Sequence, residues 1–291
     1  MKNKEYHRNW ADLPPELTSS ILLRLNIHDK LNNAQKVCKS WRRVCKDPST
    51  WTKIETRMSK NFDVWKYDLE AMCRHAVDLS RGGLLEINIE DFGSDSLLSY
   101  IADRSSNLRR LGAVNCGGIT SFGIFKAVVK LPLLEELEVV THSFISGDHL
   151  KAIGKSCPNL RTLMIRQLKL QGMGYVDCGD EIALAVAETM HGLRHLQLLG
   201  NGLSDAGLNA ILDNCPKLDH LDIRKCFNIN LVGDREKQCY DRIKVLRHPN
   251  DSIHEYDAIV SDYSYDNEEE YVYDISDDVG YRFDSYISSL L

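Results

Sequence analysis

The chain has 291 residues, a formal net charge of −6 at pH 7 and 43% hydrophobic residues, and this length is typical of about two domains. The composition excludes a fibrous repeat and a wholly disordered chain. No apolar run reaches the roughly 18 residues needed to span a bilayer, and the amino terminus lacks the apolar segment of a secretory signal. Nine scattered cysteines without a C-x-x-C pair predict neither a disulfide framework nor a zinc cluster. We therefore expect reduced thiols and a location in the cytoplasm, the nucleus or both.

Charge is distributed unevenly along the chain. Residues 251–291 contain 12 acidic residues and one basic residue, Arg282, whereas residues 1–250 contain 35 basic and 30 acidic residues. No segment has the dense basic face of a nucleic-acid-binding protein. The sequence thus predicts neither a nucleic-acid partner nor a membrane partner.

The first fifty residues predict two amphipathic helices. Apolar residues of the first helix lie on one face, at positions Leu17, Ile21, Leu22 and Leu25, and proline can open such a helix. A second apolar stripe runs over 34–45, with Asn33 placed to cap the helix and Pro48 following its end. A module this small buries little apolar area, so we expect its exposed apolar residues to contact a partner.

The middle of the chain contains a repeat. The motif L-x-x-L-x-(apolar) begins at Leu84, Leu108, Leu134, Leu160, Leu193 and Leu218, with spacings of 24, 26, 26, 33 and 25 residues. Each motif alternates like a strand, and a helical pattern follows it. This arrangement predicts a solenoid whose repeats bury their apolar faces against one another. We expect irregular end strands near 51–54 and 243–246, and a surface loop in the longer repeat at 170–180.

Alternate residues of each repeat strand should point out of the concave surface. The first aligned row is Glu86, Arg110, Glu136, Thr162, His195 and His220. The second row is Asn88, Gly112, Glu138, Met164, Gln197 and Asp222. The third row is Glu90, Val114, Val140, Arg166, Leu199 and Arg224.

These rows predict a surface that binds another protein. The predicted contact residues are Arg110, Val114, Glu138, Val140, Met164, Arg166, His195, Leu199 and Arg224. Apolar and arginine side chains together suit the centre of an interface. Two alternatives stay open: scattered exposed apolar residues need no partner, or the carboxyl-terminal tail covers them.

The end of the chain and the remaining motifs predict no catalytic chemistry. Residues 248–291 are rich in Asp, Glu, Ser and Tyr and lack periodicity, so we expect a disordered tail. The chain contains no G-x-x-x-x-G-K-[ST], H-E-x-x-H or G-x-S-x-G motif. We expect no enzyme activity, no metal site and no cofactor, and we interpret the repeat cysteines as buried packing residues.

Two parts of the chain resemble known families. WADLPPELTSSILLRLNIHDKLNNAQKVCKSWRRVCKDPSTW resembles an F-box through Leu13-Pro14-x-Glu16, Ile21-Leu22-x-x-Leu25, Val37-Cys38-x-x-Trp41-Arg42 and Trp51. LGAVNCGGITSFGI and LDIRKCFNIN, with Cys116 and Cys226 five residues after a leucine, resemble the cysteine-containing class of leucine-rich repeats. Together they are similar to plant F-box/leucine-rich-repeat proteins.

This resemblance implies an α/β fold with a helical F-box over 8–54 and a leucine-rich-repeat solenoid, a curved parallel sheet with outer helices, over 55–247. It implies a non-catalytic substrate receptor of a Skp–cullin–F-box ubiquitin ligase. The F-box would dock on the Skp-family adaptor, and through it a cullin, while the repeats hold a protein substrate for ubiquitination and proteasomal degradation. The implied adaptor-binding residues are Leu13, Pro14, Leu17, Ile21, Leu22, Leu25, Val37, Cys38 and Trp41. The alternative is a protein-binding scaffold that acts outside a ligase.

Overall fold

In the computed structural model, which describes residues 10–58, 66–141, 145–167, 179–231 and 233–254, short helices precede eight parallel strands. The described residues up to Ile253 form one compact unit. Most of the predicted loop at 170–180 and the predicted tail after His254 lie outside the described residues. Within the part that is described, no helix is both long enough and apolar enough to cross a membrane.

The amino-terminal module consists of short helical segments. They are a 3-10 turn at Trp10–Asp12, α1 at Pro15–Leu22, a π-helical segment at Asp29–Ala34, α2 at Gln35–Val37, α3 at Lys39–Cys45 and a 3-10 turn at Pro48–Trp51. Proline occupies the first position of α1, where its missing N–H costs nothing. Leu22, Ala34, Trp41, Val44 and Cys45 form a small core.

The prediction of one continuous helix over 34–45, capped by Asn33, is wrong. Cys38 has extended backbone (φ −162°, ψ 176°) and separates α2 from α3. Its sulfur accepts a hydrogen bond from the Trp41 backbone N–H at 3.5 Å and so caps α3. The apolar period continues across the break because both segments pack on the same core, and periodicity alone does not reveal one extended residue.

The eight strands follow one another in chain order across a single sheet. They are β1 at Lys53–Glu55, β2 at Glu86–Glu90, β3 at Arg110–Val114, β4 at Glu136–Thr141, β5 at Thr162–Gln167, β6 at His195–Leu199, β7 at His220–Asp222 and β8 at Val245–Arg247. The predicted register is confirmed for the first two rows, because each residue pairs with its aligned neighbour from β2 to β7. The irregular end strands are confirmed as β1 and β8.

Helices alternate with the strands. They are α4 at Leu69–Ser80, α5 at Asp95–Arg104, α6 at Ser121–Val128, α7 at Gly147–Ser156, α8 at Glu181–Thr189, α9 at Asp205–Asn214 and α10 at Asp234–Arg242. The helices α5, α6, α7 and α9 each follow a Ser or Thr whose side-chain oxygen accepts a backbone N–H of the first turn, the usual chemistry of a helix start.

An aspartate at the start of one helix also caps the next repeat. The Asp95 carboxylate accepts hydrogen bonds from the Thr120 backbone N–H and hydroxyl, both at 2.7 Å. Asp180 accepts the equivalent bonds from Ser204 at 2.8 and 2.6 Å. A Cβ at Gly123 would lie 1.9 Å from the Asp95 carboxylate, and one at Gly207 would lie 2.2 Å from Asp180. Only glycine therefore fits beside these inter-repeat caps.

Four of the strands are followed by a residue in the left-handed region of backbone conformation. Asp91, Asn115, Gly200 and Lys225 all have positive φ, between 58° and 71°, at equivalent positions of four repeats. In two of these repeats a cysteine follows and its thiol donates to a carbonyl of the preceding repeat, Cys116 to Ile89 at 3.5 Å and Cys226 to Leu198 at 2.9 Å. The predicted packing role of these two cysteines is confirmed, because both are buried.

The amino-terminal module and the repeats share one apolar core. Ile27 and Trp51 belong to the same buried cluster as Ile54 of β1 and the repeat leucines. Buried Lys30 donates hydrogen bonds to the carbonyls of Thr50 at 3.3 Å and Lys53 at 3.0 Å. The junction is therefore packed rather than a free linker.

The last repeat extends past the predicted boundary at residue 247. The Lys225 backbone N–H donates to the Pro249 carbonyl at 2.8 Å. Arg224 Nη1 donates to the Ser252 carbonyl at 2.7 Å. The first residues of the segment predicted as a tail are thus held against the end of the sheet.

Candidate functional site

The amino-terminal module exposes apolar side chains that its own core does not use. Leu17 on α1 is 54% exposed and Val37 on α2 is 48% exposed. Pro14, which precedes α1, is also exposed. Large exposed apolar residues grouped on a small module indicate a surface that a partner covers.

The structure corrects the implied adaptor contacts at two residues. Leu22 is 0% exposed and Trp41 is 7% exposed, and both belong to the module's core. The indole N–H of Trp41 donates to the Trp10 carbonyl at 3.0 Å, so this side chain is already satisfied internally. The remaining implied residues pack partly on this core and are Leu13, Ile21, Leu25 and Cys38.

A pocket of about 230 Å³ lies on the concave face, over β1–β5. It contains Arg110, Glu138 and Met164 of the predicted substrate-binding set. Arg110 forms ion pairs with Glu86 at 3.5 Å and with Glu136 at 3.1 Å. The pocket also contains polar side chains absent from the predicted set, namely Lys53, Glu55 and Asn88.

One of the missed pocket residues could be recognised only after the first strand was known. Glu55 belongs to the second row because β1 pairs with β2, which places it beside Asn88. The Asn88 side-chain N–H donates to Glu55 at 3.1 Å. Because β1 lacks the leucine motif, Glu55 cannot be aligned with the repeat strands from the sequence alone.

The prediction that the third-row members of the contact set are exposed is wrong. Val114, Val140, Arg166, Leu199 and Arg224 are all buried, with exposures between 1% and 8%. The first four of these occupy one row of adjacent parallel strands, and strands are only about 4.8 Å apart. These side chains therefore adjoin one another along the row, and the two arginines also bond to polar neighbours.

The buried arginines belong to a charged network across four repeats. Arg166 donates to Gln197 at 3.0 Å and forms an ion pair with Glu138. Gln197 donates to Asp222 at 2.6 Å, and Arg224 forms two hydrogen bonds to Asp222, at 2.9 and 2.6 Å. Burial opposes ionisation of Asp222, but the bonds from Arg224 outweigh it and lower the pKa of this carboxyl. The network holds the sheet together rather than presenting arginine to a ligand.

The carboxyl-terminal half of the first row presents two histidines. His195 and His220 stack with their ring centroids 5.3 Å apart. His220 Nδ1 lies 2.7 Å from the Asp219 carboxylate. Burial, followed by the neighbouring His220, lowers the pKa of His195. His195 remains partly exposed on the concave face but is not among the residues of the pocket.

Thiol reactivity and metal-binding geometry follow from the surroundings of the described side chains. Burial raises the pKa of the thiols of Cys73, Cys116, Cys157 and Cys226 to about 12, so these are thiols rather than reactive thiolates at neutral pH. Among the described residues, no group of three or more His, Cys, Asp or Glu side chains is arranged to hold a metal ion.

Comparison with known protein families and proteins agrees with this division of the chain into an amino-terminal helical module and a set of repeats. A family model described as F-box-like matches residues 10–57. F-box protein SKIP19 of Arabidopsis thaliana is 56% identical over 269 residues, which cover 92% of this chain and 84% of that protein. F-box/LRR-repeat protein 22 of the same plant is 53% identical and covers 97% of this chain and 93% of that protein. F-box/LRR-repeat protein 23 of Arabidopsis thaliana is 58% identical over 87% of this chain, which spans only 56% of that relative's length.

Proposed function

Because the chain belongs to the plant F-box/leucine-rich-repeat family, we propose that it is the substrate-recognition subunit of a Skp–cullin–F-box ubiquitin ligase. The F-box module binds the Skp-family adaptor and, through it, a cullin. The repeats hold a protein substrate, and other subunits carry the chemistry. The receptor itself acts by raising the effective concentration of substrate lysines near the transferring enzyme. We place this activity in the cytoplasm, the nucleus or both.

The exposed apolar pair Leu17 and Val37 carries this proposal. Both side chains lie on the F-box module, outside its core. Two aliphatic side chains left partly in water gain little for the module's own fold, whereas full burial of such a side chain against an adaptor is worth roughly 1.5–3 kcal/mol. This pair, together with exposed Pro14, is the expected centre of the adaptor contact.

Binding of a purified plant Skp-family adaptor tests the proposal. We expect Leu17→Asp/Val37→Asp to weaken adaptor binding more than about tenfold, because burying unpaired charge costs several kcal/mol. Leu184→Asp is the matched control, since Leu184 is 50% exposed on α8 of the repeats. Isothermal titration calorimetry should show wild-type affinity for the control. Equal affinity of the double variant and the wild type would contradict the proposal and favour a scaffold outside a ligase.

We propose the pocket around Arg110, Glu138 and Met164 as the centre of substrate recognition. The support for it is that three accessible residues of the predicted substrate surface line one pocket on the concave face. Arg110→Glu/Met164→Asp should reduce ubiquitination of a substrate while leaving adaptor affinity unchanged. A substrate modified equally well by this variant would place recognition elsewhere on the repeats.

A further inference from the structure

The outer face of α3 is a stripe of positive charge. Lys39, Arg42, Arg43 and Lys46 stand at i, i+3, i+4 and i+7, the spacing of one helical face, and all four are exposed. Lys36 on α2 is exposed just before them. These five residues are called the basic stripe below. The opposite face of α3 is buried through Trp41, Val44 and Cys45.

The basic stripe has no counter-charge within the described residues. No carboxylate among them lies within 4.0 Å of any of its five side chains, whereas Arg110, Lys130, Lys151 and Lys244 of the repeats each form an ion pair. The nearest acidic residue along the chain is Asp47, and its carboxylate accepts the Ser49 backbone N–H at 2.9 Å. Within the part of the chain that the structure describes, the charge of the stripe is therefore not balanced by an ion pair.

The stability of α3 does not explain the whole stripe. Cations in the last turn interact favourably with a helix dipole, which accounts for Arg42, Arg43 and Lys46. Lys39 is the first residue of α3, where the same dipole disfavours a cation. Like charges three and four residues apart also cost roughly 0.2–0.5 kcal/mol per pair. These costs offset part of the gain from the dipole, so the full stripe is not an arrangement that stabilises the free helix best.

We propose that the basic stripe binds an acidic surface of the Skp-family adaptor, next to the apolar contact made by Val37. This inference rests on the proposed function and adds the charge of the partner to it. Its basis is that exposed Val37 stands between two exposed lysines in the sequence, Lys36 and Lys39. An apolar anchor flanked by unpaired cations fits a partner whose apolar slot has an acidic rim.

Such a contact acts mainly on the rate of association. Opposite charges at the rim of an interface steer encounters, raising the association rate constant by tenfold or more at low salt. The effect fades as the Debye length falls from about 10 Å at 0.1 M salt to about 3 Å at 1 M. The apolar contact, in contrast, persists at high salt.

Stopped-flow association with a purified plant Skp-family adaptor, between 50 and 500 mM NaCl, tests the inference on the full chain. We expect Lys39→Glu/Arg43→Glu to slow association about tenfold at the lowest salt and to approach the wild-type rate at the highest salt. The matched control is Lys155→Glu/Lys217→Glu, which changes net charge equally at exposed lysines of the repeats. The control should associate like the wild type, and circular dichroism should show that all variants fold.

The outcomes separate the inference from the proposed function. If the wild type binds the adaptor but the Lys39→Glu/Arg43→Glu variant associates at the same rate with the same salt dependence, the basic stripe does not face the adaptor. If the control variant associates equally slowly, the effect comes from net charge alone, and this result would overturn the inference. If the wild type binds no adaptor at any salt concentration, the proposed function itself fails. Neutral Lys39→Gln/Arg43→Gln should lie between the wild type and the charge-reversed variant.

Discussion

Buried thiols connect adjacent repeats at the ends of their strands. Cys116 and Cys226 each donate to a carbonyl of the repeat before them, and a thiolate could not make this bond. Cys157, at the end of α7, contacts the carbonyls of Val128 and Leu131 at 3.5 Å. Small, weakly polar side chains suit these narrow sites between backbone segments. Their protonation state is therefore part of the folded structure.

Stability should fall in alkaline solution because of these thiols. Burial raises the pKa of Cys116 and Cys226 from 9.0 to about 12. An acid whose pKa is raised by folding contributes fully below the unfolded value, and its contribution is lost as pH rises from 9 toward 12. Between the unfolded and the folded pKa, each thiol should lower the free energy of unfolding by up to about 1.4 kcal/mol for each unit of pH.

Urea unfolding between pH 8 and 10.5 measures this effect. Cys116→Ala/Cys226→Ala should show a shallower loss of stability than the wild type, although it starts from a lower value. Val128→Ala is the control, because it removes buried atoms without removing a titrating group. Lys30, whose pKa is lowered to about 8 by burial, adds an opposite slope to every variant and cancels in the comparison. If stability falls with pH at the same slope in all three proteins, the assignment of this loss to Cys116 and Cys226 is wrong.

The buried ion pair of Asp222 and Arg224 should be sensitive to loss of one partner. Arg224→Met leaves a buried carboxylate without its counter-charge, which costs roughly 3–5 kcal/mol. Arg110→Met removes an arginine whose side chain is about half exposed, where ion pairs contribute roughly 0–1 kcal/mol. Denaturant titration of both variants should give this contrast. Similar losses of stability in the two variants would mean that solvent reaches the network around Asp222.

At the scale of elements, the repeats are joined by caps that pass from one helix to the next. Asp95 lies in the first turn of α5, yet its carboxylate binds Thr120, the residue that caps α6. Gly123 in the first turn of α6 leaves the space that the carboxylate occupies. The two residues are therefore coupled, although 28 positions separate them along the sequence.

A double-mutant cycle tests this coupling. Asp95→Ala should cost about 1–2 kcal/mol as a lost cap. Gly123→Ala should be strongly destabilising in the wild type but much less so in the Asp95→Ala background, giving a coupling energy of about 1 kcal/mol or more. Gly117→Ala is the control, since nothing lies within 4 Å of its Cβ position. If the losses of stability from Asp95→Ala and Gly123→Ala are additive, the Asp95 carboxylate does not occupy the space beside Gly123.

Strands and their register were predictable from sequence, whereas these caps were not. The L-x-x-L-x-(apolar) motif reports inward residues directly, so pairs such as Leu163 with Leu196 follow from alignment. The helix break at Cys38 carries no such signal, because a sulfur cap leaves the apolar period intact. Burial of the third row could not be predicted either. It depends on contacts between neighbouring repeats and with the Ser252 carbonyl, which are not visible in one motif.

At the scale of the whole molecule, the F-box module and the repeats are fused through a common core. Ile27 of the module is 1% exposed and packs in the repeat cluster, and Lys30 binds backbone carbonyls on both sides of Trp51. The face of the module that carries Leu17 and Val37 is thereby held at a fixed angle to β1 and β2. In the proposed receptor, this arrangement would present a substrate on the repeats in a defined direction.

Disruption of this junction should also destabilise the repeats. Ile27→Asp places a charge in the shared core, so we expect faster hydrogen exchange in β2 at Glu86–Glu90 as well as in the F-box module. Leu17→Asp is the matched control, because Leu17 is exposed and outside both cores. If the hydrogen-exchange protection of β2 is unchanged in Ile27→Asp, the two parts unfold independently.

The glycine that faces each inter-repeat aspartate restricts how such a chain can evolve. Unequal recombination between repeats is a natural way to lengthen or shorten a solenoid, but here a repeat is compatible only with certain neighbours. A unit that brings the aspartate needs a following unit with glycine in its first helical turn, as in the pairs Asp95–Gly123 and Asp180–Gly207. Duplications whose breakpoints separate such a pair would join an aspartate to a side chain that it cannot accommodate. We therefore expect viable changes in repeat number to move the aspartate and its glycine together.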